Sequence, residues 1–232
     1  MRDMIGSTVL LFGVACSDGP LAPGAGNDPG TGTGTLVVEG AVRATARRIN
    51  ARLPTDFDTE FSVRATLDNQ IVVGPVTVTS STGKVALTRH LDGHWTGAAA
   101  AYDEVYQLDV ASGADKAEGM RVDGPDVHVF LQPTPGATVD AMMPLAIRWD
   151  CADHAESATL HTDLLAAIAI PDSGSYSLAA GALRPDKSIA RQHLLRLSRT
   201  NRVVPAGAAI GSTWTVTIEN AVNVVTEAQP PL

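Results

Sequence analysis

Glu60-Phe61-Ser62-Val63-Arg64-Ala65-Thr66-Leu67 is the stretch on which the reading of this chain turns. Phe61, Val63, Ala65 and Leu67 alternate with Ser62, Arg64 and Thr66, so an extended backbone sends every apolar side chain to one face. That period of two marks a strand with one buried and one wet face, as in an antiparallel sheet, and Asp68-Asn69 behind it supplies a turn. Working outward, short apolar alternations recur on both sides, separated by Gly, Pro, Asp and Asn. The first half offers strands at Leu36 to Ala46, Glu60 to Leu67, Gln70 to Thr79, Val85 to Leu91, His94 to Ala98 and Val105 to Val110. The second half offers Val127 to Leu131, Pro144 to Trp149, Ser157 to Thr162, Leu164 to Ile170, Ser175 to Leu178, Leu194 to Arg199 and Thr213 to Glu219.

One segment also fits helical spacing. Val42, Ala46, Ile49 and Leu53 could share a stripe, with Arg43, Arg47, Arg48 and Arg52 around it, and such a basic amphipathic helix could lie on anionic lipid. Val37-Val38 and the break at Gly40 favour a strand that runs into a solvated loop instead.

The 232 residues suit two domains of ordinary size. Asp123-Gly124-Pro125-Asp126 is a dense turn signal with apolar runs on either side, so the boundary is placed there. The expected fold is all-β: two tandem antiparallel β-sandwich domains, residues 36–123 and 124–226, after a disordered N-terminal tether and before a tail at 227–232. Aromatic residues are only 4% of the chain, which makes Trp95, Trp149 and Trp214 the main core anchors. A net charge of -8 offers no basic stripe for phosphates, and nucleic acid is not an expected partner.

Residues 1–15 begin with Arg2 and Asp3 and continue into an apolar run too short to cross a bilayer as a helix, which is the form of an export signal. Val14-Ala15-Cys16 resembles the lipobox of bacterial lipoproteins, in which a small residue precedes the cysteine that receives lipid; Gly13 stands where that family usually has Leu. The resemblance implies lipid attachment at Cys16, a membrane partner through that anchor, and an exported protein. Ser17 behind the cysteine fits the outer membrane. Residues 16–35, with Pro20, Pro23, Pro29 and a Gly-Thr alternation ending at Thr35, have almost nothing to bury and read as a flexible tether.

In the second domain, Pro133-Thr134-Pro135-Gly136, the strand ending in Trp149 and the run Asp172-Ser173-Gly174-Ser175-Tyr176 resemble immunoglobulin-like and fibronectin type III-like modules. That resemblance implies a sandwich over the last hundred residues, without a Cys-Trp-Cys core. With Cys16 taken by lipid, Cys151 is alone and reads as a buried thiol.

Chemistry is sparse. His90-Leu91-Asp92-Gly93-His94 carries a hairpin signal. A two-residue turn would pair Leu91 with His94, whereas a three-residue loop with a bulge at Gly93 makes His90 and His94 cross-strand neighbours. The second is favoured, because it sets Trp95 opposite Arg89 and on the face of Val85 and Leu87. Two imidazoles fall short of the ligands zinc takes, so neither a metal nor a cofactor is expected. The carboxylate pairs Asp56 with Asp58 and Asp103 with Glu104 read as surface turns, and Asp172-Ser173-Gly174-Ser175 lacks an assigned histidine. No catalytic residue is expected. The reading is a lipid-anchored envelope protein in binding, adhesion or scaffolding, with an envelope protein or glycan as partner. Two alternatives are an accessory carbohydrate-active or peptidase lipoprotein whose site is scattered over strands, and a solute carrier.

Overall fold

A computed structural model of the chain describes residues 26–150, 152–183 and 189–228. The expected signal segment and Cys16, within residues 1–25, lie outside the described residues, as do Cys151 and residues 229–232 of the expected tail. The strands are β1 (Thr31–Gly32), β2 (Leu36–Ala46), β3 (Phe57–Leu67), β4 (Gln70–Ile71), β5 (Val76–Ser80), β6 (Gly83–Val85), β7 (Thr88–Arg89), β8 (His94–Ala99) and β9 (Val105–Ser112). After them come β10 (Asp115–Asp123), β11 (Phe130–Gln132), β12 (Ala137–Val139), β13 (Leu145–Trp149), β14 (Ser157–Thr162), β15 (Ile168–Ile170), β16 (Ser175–Leu178), β17 (Arg191–Val203) and β18 (Thr213–Thr226). The chain is all-β, as its alternations predict; where helical spacing competes, from Val42 to Leu53, β2 runs to Ala46 and residues 47–53 form a loop, followed among the described residues by one 3-10 turn at Pro54–Asp56.

A ten-stranded sheet forms the back of the molecule, with the path β15-β14-β17-β18-β2-β3-β8-β7 and with β12 and β4 paired beside it. In front of one half lies the five-stranded sheet β1-β10-β9-β5-β6, and in front of the other half the three-stranded sheet β11-β13-β16. Both smaller sheets pack on the same side of the back sheet. On β18, Trp214, Val216 and Ile218 enter the first core while Val222 and Val224 enter the second, all at even positions of one unbroken strand.

The first core is built on the pairing of β2 with β3, which runs in register from Leu36 against Leu67 to Ala46 against Phe57. Inward go Leu36, Val38, Val42, Ala44, Phe57, Phe61, Val63 and Ala65, all essentially buried. Trp214 fills the place a side chain at Gly40 would take, since a Cβ there would lie 2.3 Å from its ring. Its indole Nε1 donates to the Tyr106 carbonyl at 3.2 Å, so the largest apolar group in the core leaves no polar atom unpaired. The second core gathers Phe130, Ile147, Trp149, Leu160, Leu195 and Leu197.

Four features depart from the sequence expectation. Pairing is antiparallel except where β18 runs parallel to β2 and to β12. Residues 204–212 close the antiparallel hairpin of β17 and β18, with Val203 against Trp214; the parallel neighbour β2 is reached because strands β3 to β17 all lie between it and β18 in the chain, far more than the crossover a parallel pair needs. β18, assigned by sequence to the second half, is thereby hydrogen-bonded to the first strand of the first half. The run from Gln70 to Thr79 divides at Gly74-Pro75, where a Cβ on Gly74 would lie 1.7 Å from the Ala111 carbonyl oxygen. Residues 26–35, expected as the end of a disordered tether, instead lie along β10: Thr31 and Gly32 pair with Glu118 and Ala117, and Asp28 bridges Arg121. Glycine and threonine bury little, but their backbone groups complete a sheet edge as well as any other residue's.

Candidate functional site

The two cores meet at a waist where polar groups are buried. Arg199 on β17 is fully buried, and its guanidinium grips Asp172: Nε lies 3.1 and 3.0 Å from the two carboxylate oxygens, and Nη2 2.9 Å from Oδ2. Asp172 also accepts from the Trp149 indole at 3.1 Å and from the Ala155 amide at 2.5 Å, while Arg199 donates to the Asp126 and Asp153 carbonyls. Burial alone would raise the Asp172 pKa, but the hydrogen bonds from Arg199 and Ala155 outweigh it and hold the carboxyl below its ordinary value. His128 is buried beside this pair. Burial, and then the Arg199 charge, push its imidazole down to about 3, so it is neutral; Nε2 donates to the Leu197 carbonyl at 3.2 Å and Nδ1 has no partner among the described residues.

Two asparagines fasten the loop at 47–53 to the same waist. Asn220 exchanges bonds with the Ala51 amide and carbonyl, at 3.0 and 2.8 Å, and Asn50 does the same with Phe130, at 2.8 and 3.0 Å. Asn50 takes a φ of 50°, the left-handed region that asparagine tolerates. Each side-chain amide thus stands in for a missing sheet neighbour.

A second arrangement, unseen in the sequence, joins three elements. Nδ1 of His193 on β17 is 3.2 Å from Asp163 Oδ1, and its Nε2 is 3.2 Å from the Thr226 hydroxyl on β18. Carboxylate, imidazole and hydroxyl in that order have the connectivity of a hydrolase triad. Thr226 and the His193 side chain are fully buried, so a substrate has no approach to the hydroxyl. The three side chains tie β17, β18 and the loop after β14 together. Spacing in the sequence carries no signal for them, because 30 and 33 residues separate the partners.

The residues singled out from the sequence are dispersed. His90 and His94 are cross-strand neighbours through a three-residue loop: the His90 amide donates to the His94 carbonyl, Thr88 and Arg89 pair with Thr96 and Trp95, and Gly93 has a φ of 84°. The Arg89 guanidinium lies 5.6 Å from the Trp95 ring centroid. Each imidazole has its own neighbour, Thr96 for His90 at 2.6 Å and Asp92 for His94 at 3.1 Å. Asp56 is no surface carboxylate. It accepts from the Arg52 and Leu53 amides and from Arg48, and these bonds bring it down to about 2, while Asp58 pairs with Arg47 at 3.6 Å. Asp103 accepts from Ser81 and Thr82. Glu104 is raised by burial and by the facing Asp126 and Asp123. Asp172, read as part of a turn, is the partner of Arg199. Among the described residues no three His, Cys, Asp or Glu side chains group as metal ligands.

The outer face of the ten-stranded sheet is polar. Across β2 and β3, Glu39 faces Arg64, Arg43 faces Glu60 and Thr45 faces Asp58, so opposite charges alternate. Small residues lie among them. Ala41, Ser62, Thr96 and Ala98, flanked by Arg43 and Glu60, line an open depression of about 580 Å³. The large apolar residues that are exposed are aliphatic, with Leu91 and Ile210 at loop tips fully exposed, and the described aromatic side chains are buried or half-buried. No described helix is long and apolar enough to cross a membrane.

No protein-family model matches the chain, and no curated protein does. Among solved structures, one concerned with host cell surface retention of a 1.5-MDa bacterial ice-binding adhesin is similar at a TM-score of 0.23 and 13% identity, over 81% of this chain and 66% of that one. This chain therefore spans just under two thirds of that neighbour, and a likeness so distant carries no argument about function. The class the molecule itself defines is an all-β protein of three sheets, with a buried polar waist and a broad polar outer face.

Proposed function

We propose that the chain is a non-catalytic protein of the bacterial envelope, held to a membrane, by preference the outer one, through lipid on Cys16, and working in binding, adhesion or scaffolding. The observation that carries this reading is the outer face of the ten-stranded sheet: wide, charge-alternating and lined at its centre by small side chains. An open, shaped face of that kind suits another protein's surface, with Arg43 as the residue type enriched at interface centres. A protein partner is favoured over a glycan, because the exposed apolar side chains are aliphatic and no described aromatic ring is offered for a sugar to stack on. The enzyme alternative rests on His193, Asp163 and Thr226, and the burial of His193 and Thr226 weighs against it.

Two experiments test the proposal. Palmitate labelling in a bacterial host is expected for the wild-type chain and lost in Cys16→Ala; undiminished labelling of that variant removes the anchor. Photo-crosslinking residues placed at Ser62 and Thr96 are expected to capture one discrete protein in intact cells, and Ala41→Arg is expected to abolish the adduct. Absence of an adduct from both positions overturns the binding role of this face.

A further inference from the structure

Immediately before the first long strand, Gly26-Asn27-Asp28-Pro29-Gly30-Thr31-Gly32-Thr33-Gly34-Thr35 is stitched to the first lobe by polar groups alone. Asp28 and Arg121 exchange both backbone bonds, at 2.9 and 2.8 Å, the Thr33 amide donates to the Lys116 carbonyl, and Thr35 Oγ1 donates to Asp115. On the other side the Gly34 amide donates to Gly207 and the Ala206 amide to Pro29. The slot between β10 and the 204–212 loop admits bare backbone only. A Cβ on Gly32 would lie 2.3 Å from the carbonyl oxygens of both Gly207 and Lys116, and one on Gly207 would lie 1.9 Å from the Thr31 carbonyl carbon. No side chain of residues 26–35 belongs to either core; the first core begins at Leu36.

Burial of apolar surface is the main force that holds a segment in place, and segments without it open first. Four of these ten residues besides Gly26 are Gly or Pro, glycines gaining the most backbone freedom on release. We infer that residues 26–35 are a detachable strap, opening as a unit while both cores stay folded. The β10 edge beneath it then accepts an extended, glycine-containing segment of a partner protein by strand addition. An uncovered edge offers a row of unpaired amides and carbonyls, and the slot's width demands glycine at the position of Gly32. The inference is independent of the lipid anchor, since the strap opens whether or not Cys16 is modified.

Native-state hydrogen exchange on the full chain tests the first half. The amides of Thr33, Gly34 and Arg121 are expected to exchange at least about a hundredfold faster than those of β18, and without denaturant dependence, as local openings do. Equal rates with equal denaturant dependence overturn the strap. For the second half, Gly32→Val is expected to release the strap and leave the near-ultraviolet tryptophan signal intact. A labelled peptide of residues 26–35 should then bind this variant at least about tenfold more tightly than wild type, whose own strap competes. The same peptide carrying valine at position 32 should bind neither. Failure of Gly32→Val to fold would show that the cores need the segment, and a folded variant that ignores the peptide would show that the edge takes no strand; either result overturns the inference.

Discussion

At the scale of single residues, the buried pair of Arg199 and Asp172 is sensitive to the loss of either partner. A buried ion pair is not by itself a large stabiliser, but removing one partner strands the other charge. Asp172→Ala is therefore expected to lower unfolding free energy by about 3–5 kcal/mol, whereas replacing both residues together by leucine and methionine costs less than the sum of the single changes. Urea unfolding of the two single variants and the double variant checks this, and additive losses would count against the pair as a unit. His128 supplies a pH dependence. Its folded value, about 3, lies below the ordinary 6.5, so on acidification the unfolded chain takes up a proton that the folded one refuses. The contribution is intact above about pH 6.5 and drains steadily down to about pH 3, at about 1.4 kcal/mol per pH unit. Glu104 and Asp123 act in the opposite sense. Burial and neighbouring carboxylates raise both, so the strain of holding them ionised is relieved as the pH falls through their raised folded values. Comparing His128→Gln with wild type at pH 7 and pH 5 isolates the imidazole: the variant should lose less stability between those two values. An identical loss in both proteins would refute the assignment.

Individual elements show which parts of the fold were legible. Leu36–Ala46, Ser157–Thr162 and Ser175–Leu178 were readable to the residue, because one buried and one wet face write a period of two into the sequence. The hairpin at His90 to His94 was readable because Asp-Gly chemistry and the alternation around it are local. β10 was not picked out as a strand. Its register slips between Ala117 and Met120 around Gly119, at a φ of 71°, and the bulge breaks the alternation that marks the other strands. β17 and β18 were both read too short, since inward His193, Asn220 and Thr226 are polar and end the apolar pattern before the strand ends. One element-scale prediction concerns β2. Gly40→Ala pushes a methyl into the ring of Trp214, and an overpacked core of this kind is expected to lose about 1–3 kcal/mol; an unchanged thermal midpoint would mean that the ring moves freely.

For the whole molecule, the two cores do not make two independent units. β18 gives Trp214, Val216 and Ile218 to one core and Val222 and Val224 to the other, and β17 pairs along its whole length with it. Neither core can lose its back strand without disturbing the other. Heating is therefore expected to give one transition, with a calorimetric enthalpy equal to the van't Hoff value. Two separated transitions, or an enthalpy ratio well above one, would show that each core melts by itself.

The sequence by itself determined that the chain is β throughout, where most strands lie and that His90 to His94 makes a hairpin, because all of these follow from side-chain alternation and turn chemistry over a few residues. Only the tertiary structure decided that residues 26–35 close a sheet edge, that β18 returns to lie beside β2, and that Arg199 meets Asp172 and His193 meets Asp163 and Thr226. Those pairings join residues distant along the chain, and what selects them is the packing of three sheets around two shared cores, a property that no local stretch of the chain contains.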